Sequence, residues 1–315
     1  IGLGTATWGR DTDEHEAADQ LRAFVDEGGS LLDTADTYAA GDSERVIGKL
    51  LVNVVSRADV VIATKAGGLL PDERADGRRR DKSRRHLLEA LDASLDRLGV
   101  DHVDLWQLHG WDPGTPLDET LSALDFAVSS GRARYVGLSN YSGWQTAKAA
   151  CWQGAWPGRV PLVTTQVEYS LLERGIEREV APAAIDAGLS LLPWSPLGRG
   201  VLTGKYRTGI PADSRAASDH LAAFVEPYLG AAQTRVVQAV CTAAEGLGVS
   251  PLAAALAWVR DRPGVAAPLV GARTAAQLLG VLAEADVVLP DEIRDALDDV
   301  SMPTTGYPER GAGQE

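Results

Sequence analysis

Residues 103–139 read VDLWQLHGWDPGTPLDETLSALDFAVSSGRARYVGLS. The stretch holds a short apolar run, Val103–His109, then a segment of helical period from Asp118 to Val128 that stops near Gly131, then a second apolar run, Arg134–Ser139. Neither run alternates apolar with polar residues, so both faces of each strand are expected to be buried, as in a parallel sheet. The unit recurs in both directions along the chain. Further strands are expected at Ile1–Thr5, Ser30–Asp33, Val60–Lys65, Leu162–Gln166, Ser190–Trp194 and Ala267–Gly271.

Helical segments fall between them. Asp13–Glu27 carries Ala17, Leu21, Phe24 and Val25 on one face, with Asp11 or Thr12 placed to cap its start and Gly28 to stop it. Ser83–Leu98 is closed by Gly99, and Ser142–Ala150, Glu177–Ala187 and Thr274–Ala285 follow the same pattern. Ala231–Leu247 and Pro251–Arg260 fill the last connection, and Pro290–Val300 reads as an appended helix. The stretch 198–230 is long, polar and punctuated by Gly and Pro, so it is expected to be a functional loop over the active-site face. Residues 302–315 read as a loose tail. Eight strand–helix units point to an α/β protein, a single (β/α)8 TIM barrel over residues 1–315. The competing architecture is an open doubly wound sheet. It wants a G-x-G-x-x-G turn after its first strand, and Gly2-Leu3-Gly4-Thr5 offers two glycines with no helix directly after.

Composition narrows the function classes. With 45% hydrophobic and 23% charged residues among 315, the chain reads as globular rather than disordered or fibrous, and it is long enough to fold without a disulfide or metal staple. A formal charge of −14 repels a nucleic-acid backbone, which disfavours that partner. Cys151 and Cys241 form no disulfide framework, which suits a reducing cytoplasm. No apolar run approaches the roughly 18 residues of a membrane span, and no secretory signal opens the chain. The expected setting is therefore cytoplasmic, away from a membrane, with no metal site.

Polar residues collect where the strands end: Thr5, Asp33, Lys65, His109, Ser139-Asn140, Gln166, Trp194-Ser195 and Gly271-Ala272-Arg273. In a barrel, chemistry sits at that rim. Asp33 and Lys65, from adjacent strands, are expected to pair. Tyr38, five residues past Asp33, could swing over the barrel mouth. Beside an ammonium its phenol is expected to titrate below its ordinary value of about 10 and to serve as a general acid. His109 could donate a hydrogen bond to a carbonyl oxygen or relay a proton.

These residues carry a resemblance. Asp33-Thr34-Ala35-Asp36-Thr37-Tyr38, Ser43-Glu44 with Gly48, Ala63-Thr64-Lys65 and Asp104-Leu105-Trp106-Gln107-Leu108-His109 resemble the aldo-keto reductase superfamily. So do Gly137-Leu138-Ser139-Asn140, the run from Gln166 to Arg174, the run from Pro193 to Gly200, and Gly271-Ala272-Arg273, in order along nearly the whole chain. The resemblance implies an NADPH-dependent reductase of an aldehyde or ketone, with the tetrad Asp33, Tyr38, Lys65 and His109. It implies that Ser139, Asn140 and Gln166 hold the nicotinamide carboxamide and that Trp194 stacks on its ring. The segment from Ser195 through Leu197, Gly198 and Gly200 to Lys205 would fold over the pyrophosphate, with Lys205 as charge partner. Gly271 and Arg273 would meet the 2′-phosphate of NADP, and Gln277 the adenine side. Gly280 and Val281 stand where Glu and Asn are common in the family, so adenine contacts are expected to be weaker and NADPH preference to rest on Arg273. The glycine that often follows the catalytic Tyr is displaced, with Ala39-Ala40 before Gly41.

Trp8 and Trp111, just past strand ends, are expected on the rim of the pocket for a small-molecule carbonyl substrate. The loop Asp72–Arg85 holds seven basic residues against four acidic ones and could steer an anionic substrate. Relatives that reduce nucleotide-linked keto-sugars in biosynthetic pathways make such a sugar an alternative substrate. Three other classes compete. A Schiff-base aldolase would use Lys65 as nucleophile. A glycosidase is disfavoured for want of an acid pair at the ends of the fourth and seventh strands. A non-catalytic NADPH-binding regulatory subunit would resemble the potassium-channel β subunits that share this barrel. The oligomeric state is not legible.

Overall fold

A computed structural model describes residues 1–68, 81–212, 214–304 and 306–307. The strands are β1 (Gly2–Gly4), β2 (Leu31–Asp33), β3 (Val61–Ala66), β4 (Val103–Leu108), β5 (Ala133–Ser139), β6 (Leu162–Glu168), β7 (Ser190–Trp194) and β8 (Leu269–Val270). They close into a parallel barrel in chain order. β1 pairs with β8 through Gly2–Leu269 and Leu3–Val270, so the open-sheet alternative is excluded. The helices are α1 (Glu14–Asp26), α2 (Asp42–Asn53), α3 (Arg84–Leu98), α4 (Leu117–Ser129), α5 (Gly143–Gly154), α6 (Val180–Asp186), α7 (Ala222–Val225), α8 (Ala231–Leu247), α9 (Pro251–Arg260), α10 (Ala275–Leu282) and α11 (Asp291–Ser301).

Two apolar layers hold the barrel. A small cluster that includes Ala63, Leu105, Leu192 and Leu269 lies on alternate strand positions. A much larger one joins strands to helices through residues such as Leu3, Leu32, Ile62, Trp106, Leu21, Leu87 and Leu91, each fully buried. Each such Leu or Ile stabilises the fold by about 1.5–3 kcal/mol relative to exposure.

Local chemistry sets the boundaries. α1 is capped by Asp13, whose carboxylate accepts from the Glu16 amide at 2.9 Å, and not by Asp11 or Thr12. Those two are engaged elsewhere: Asp11 with Arg10 and His220, Thr12 with the Thr7 hydroxyl. Ser83 caps α3, and Gly99 closes it with φ 65°. β8 is shorter than the expected Ala267–Gly271. Pro268 has no N–H for the ladder, and regular pairing begins after it. α2, absent from the sequence reading, bridges β2 and β3.

The stretch 198–230 contains short 3-10 turns and α7. Most of the basic loop 72–85 and of the tail 302–315 lies outside the described residues. Among the described residues no single helix is long and apolar enough to cross a membrane.

Candidate active site

The strand ends bring the four expected side chains together. Asp33 pairs in register with Ala63, so Lys65, two residues on, faces the same side of the sheet. Lys65 Nζ donates to Asp33 Oδ2 at 2.7 Å and to the Thr34 carbonyl at 2.8 Å. Asp33 Oδ1 accepts from Gln166 Nε2 at 2.7 Å. Both charges are buried, and the partners meet the requirement for a buried ion pair. Burial, the largest single effect, pulls the Lys65 ammonium down, but Asp33 and Tyr38 together outweigh it and hold the group above its ordinary value.

The turn after β2 carries Tyr38 over this pair. The Asp36 amide donates to the Lys65 carbonyl at 3.0 Å and the Tyr38 amide to the Ala35 carbonyl at 3.1 Å. Ala39 and Ala40 then take left-handed backbone, φ 48° and 55°, where glycine would be free of strain. Lys65 Nζ lies 5.0 Å from the Tyr38 ring centroid. The expected lowering of the Tyr38 phenol is corrected here. Burial raises its pKa, and the opposing pull of Lys65 is the smaller effect, so the phenol stays protonated.

His109 follows β4. Its ring meets the Tyr38 ring edge-on, with centroids 6.1 Å apart at 81°. Burial first, then Lys65 and Lys82, push its pKa down to about 3, so the imidazole is neutral near pH 7. A neutral imidazole has one N–H to donate and one ring nitrogen to accept. Among the described residues its Nδ1 is buried without a partner, packed against Gly68.

Above the tetrad opens a cavity of about 860 Å³. Of the expected residues, Asp33, Tyr38, His109, Asn140, Gln166, Trp194, Ser195, Leu197, Gly200, Lys205, Gly271, Arg273 and Gln277 line it. Asn140 Nδ2 donates to the His109 carbonyl at 3.1 Å, and Trp194 Nε1 donates to Asn140 Oδ1 at 3.1 Å. Asn140 and Ser195 both hold left-handed backbone, φ 57° and 53°, a strain that clusters at functional sites. Lys65, Ser139 and Gly198 are buried beneath the lining, and the Ser139 hydroxyl has no hydrogen-bond partner among the described residues.

The expectation for the two tryptophans is corrected. Trp8 is fully buried, and its indole N–H donates to Gln20 Oε1 at 3.1 Å, so it is a core residue. Trp111 packs edge-on against Tyr141 and Trp144, with centroids 5.3 and 5.4 Å away, and does not line the cavity. The aromatic wall comes instead from Trp194 and Phe224, the latter in the long stretch.

Sequence reasoning missed Arg10 and Arg215 and gave Arg199 no role of its own within the segment expected over the pyrophosphate; all three line the cavity. Arg215 donates to the Gly271 carbonyl at 3.2 Å. Burial lowers its pKa, and Arg273 adds to the effect; Lys205 is lowered by burial and by both arginines. Mutual repulsion among Lys205, Arg215 and Arg273 marks a site that suits an anion. No sequence signal singled out Arg215, because a lone cation in a polar stretch reads as solvated. At the far end, Gly280, Val281 and Glu284 line the wall, and Glu284 accepts from the Ser250 hydroxyl.

Comparison with known proteins gives a match to the Aldo/keto reductase family over residues 1–301. An uncharacterized oxidoreductase of Bacillus subtilis (strain 168) is 36% identical over 308 residues, 95% of this chain and 90% of the relative. A probable voltage-gated potassium channel subunit beta of Oryza sativa subsp. japonica is 36% identical over 304 residues, 93% of this chain and 90% of the relative. An L-glyceraldehyde 3-phosphate reductase of Escherichia coli (strain K12) is 35% identical over 266 residues, 82% and 75% of the two chains.

Proposed function

The chain belongs to the aldo/keto reductase family, and from that premise we propose that it reduces an aldehyde or ketone to an alcohol with NADPH, with Tyr38 as proton donor. The observation that carries this reading is the convergence of Lys65, Asp33, Tyr38 and His109 at the floor of one cavity whose wall also holds Lys205, Arg215 and Arg273.

The residues fit the cofactor. Lys205, Arg215 and Arg273 would hold its phosphates, since an anion relieves their mutual repulsion and a guanidinium fork matches phosphate oxygens. Leu197, Gly198, Gly200 and Gly271 would shape the path of the pyrophosphate. Asn140, Gln166 and the unpartnered Ser139 hydroxyl would serve the carboxamide, and Trp194 the nicotinamide ring. Gln277 is turned toward its own turn, accepting from the Arg273 amide at 3.0 Å, which leaves Gly280, Val281 and Glu284 as the adenine wall. When bound, the nicotinamide supplies the hydride.

The chain's own groups do the rest. His109, neutral, donates a hydrogen bond to the carbonyl oxygen and orients it. Tyr38, neutral because buried, gives its proton to that oxygen as negative charge builds there. Lys65, kept cationic by Asp33, stabilises the phenolate that remains. A Schiff-base role for Lys65 loses support, because its amine is protonated, fully buried and already bonded to Asp33 and Thr34.

Tyr38→Phe tests the assignment. Turnover of a panel of carbonyl substrates is expected to fall about 10²- to 10⁴-fold, the range for one general acid. The NADPH dissociation constant, read by fluorescence quenching, should move little. A variant that works at close to the wild-type rate would remove Tyr38 from the role.

A further inference from the structure

Arg199 lies in the cavity wall beside the aromatic side chains. Both oxygens of Glu168 hold its guanidinium, Nε to Oε1 at 2.9 Å and Nη2 to Oε2 at 2.8 Å, so its charge is met within the protein. Glu168 ends β6, and Tyr228 donates its hydroxyl to the same carboxylate at 2.9 Å. The guanidinium carbon lies 3.7 Å from the Phe224 ring centroid, 4.8 Å from that of Tyr228 and 5.8 Å from that of Trp194. Nη1 also donates to the Phe224 carbonyl oxygen. Phe224 in turn lies nearly parallel to Trp194, with centroids 6.5 Å apart at 18°. A chain of contacts therefore runs from Glu168 through Arg199, Phe224, Trp194 and Asn140 to the backbone of His109.

The backbone sharpens the point. Gly198, Arg199 and Gly200 have φ of 54°, 58° and 91°, three left-handed residues in succession. Glycine flanks the position on both sides and adopts this conformation without strain, whereas arginine does not. The strain is offset by what the side chain reaches.

We propose that Arg199 is a positioning residue for the carbonyl pocket: it clamps Phe224 to Trp194 and so fixes the apolar wall of the cavity that Tyr38 and His109 also line. The proposal rests on the reductase reading given above. A wall already held in one orientation removes an ordering step from substrate binding. The clamp therefore acts on KM for the carbonyl compound, while proton donation stays with Tyr38.

Arg199→Lys keeps the charge and loses the planar fork. With benzaldehyde and saturating NADPH, KM is expected to rise roughly tenfold and kcat to stay within about threefold, the scale of re-ordering one loosened wall side chain. NADPH affinity, read by fluorescence quenching, should fall by much less than KM rises, because the phosphate-side cations Lys205, Arg215 and Arg273 stay in place, and the near-ultraviolet circular dichroism of the packed aromatic rings should weaken. Phe224→Leu should reproduce the KM rise. The double variant should be no worse than either single one, because Arg199 acts through Phe224. Additive losses in the double variant, or an unaltered KM in Arg199→Lys, would overturn the clamp. So would NADPH affinity falling in step with KM. If Arg199→Lys does not fold, Glu168→Gln, which weakens the carboxylate's hold on Arg199, combined with Phe224→Leu provides an equivalent cycle. A wild-type protein that binds NADPH but reduces no carbonyl compound would sink the reductase reading alone. The dichroism cycle decides the clamp without turnover: a non-additive loss of signal supports it, an additive one rejects it.

Discussion

Gly68 presses on the His109 imidazole. A Cβ built there would stand 2.8 Å from His109 Nδ1 and 2.8 Å from Thr37 Cγ2, too close for any side chain. Gly68→Ala is expected to displace the ring and lower kcat/KM about 100-fold, the penalty of an ångström-scale misplacement, with NADPH binding retained. Equilibrium binding beside steady-state kinetics separates the two. The pH profile is a second prediction at this scale. The active form needs Tyr38 protonated, and burial raises its pKa, so activity is lost only on the alkaline side. His109, at about 3, does not change charge near neutrality. The reduction rate is expected to be flat from about pH 5 to pH 9, with no step near the ordinary histidine value of about 6.5. A step there that vanishes in His109→Gln would contradict the neutral imidazole. Asp33, Tyr38, Lys65 and His109 were legible as residues because each sits at a strand end or just past one. The direction of the Tyr38 shift was not, since the sequence shows the neighbouring ammonium but not the depth of burial. Phe224 and Arg215 were hidden because their stretch has no periodicity to place them.

At the scale of elements, α2 was the helix that the pattern did not reveal. It starts at Gly41, φ 93°, with no side-chain cap, and Gly48 weakens it in the middle. That glycine is required by packing: a Cβ would come 2.7 Å from the Arg97 carbonyl oxygen and 2.8 Å from that of Leu98, where α2 crosses the end of α3. Gly48→Ala is expected to destabilise the protein by about 1–3 kcal/mol, as overpacking does, despite alanine's better helix propensity. Urea unfolding gives the sign; a gain in stability would mean that the two helices separate freely. The strands were easier to read. Their runs are bounded by turn residues; β1, β2 and β4 are one or two residues shorter than expected, and β8, where Pro268 delays pairing, is three shorter. The Asp13 cap was misread by a residue or two because Asp11, Thr12 and Asp13 are all capable, and tertiary partners of the first two decide among them.

At the scale of the whole molecule, a cationic pocket opens in a chain of formal charge −14. Added salt should therefore weaken NADPH more than NADH, since the extra phosphate carries the extra charge and the Debye length is about 8 Å at physiological ionic strength. Arg273→Ala should erase most of that difference; equal salt dependence for the two dinucleotides in the wild type would argue against a 2′-phosphate site. The barrel itself was legible from eight repeats of one unit, whereas the pocket's charge was not, because its cations lie far apart along the chain.

The brevity of β8 bears on cohesion. It meets β7 in strand register at Trp194–Leu269 alone, with Leu191–Val265 bridging lower down, and Trp194 and Leu269 both face the cavity. The seventh and eighth staves of the cask are thus joined most thinly where the cofactor would lie. A dinucleotide seated there acts as a hoop, and at a hundredfold excess over its dissociation constant it would add about 2.7 kcal/mol to the barrel. Amide exchange at 269–270 should slow with it.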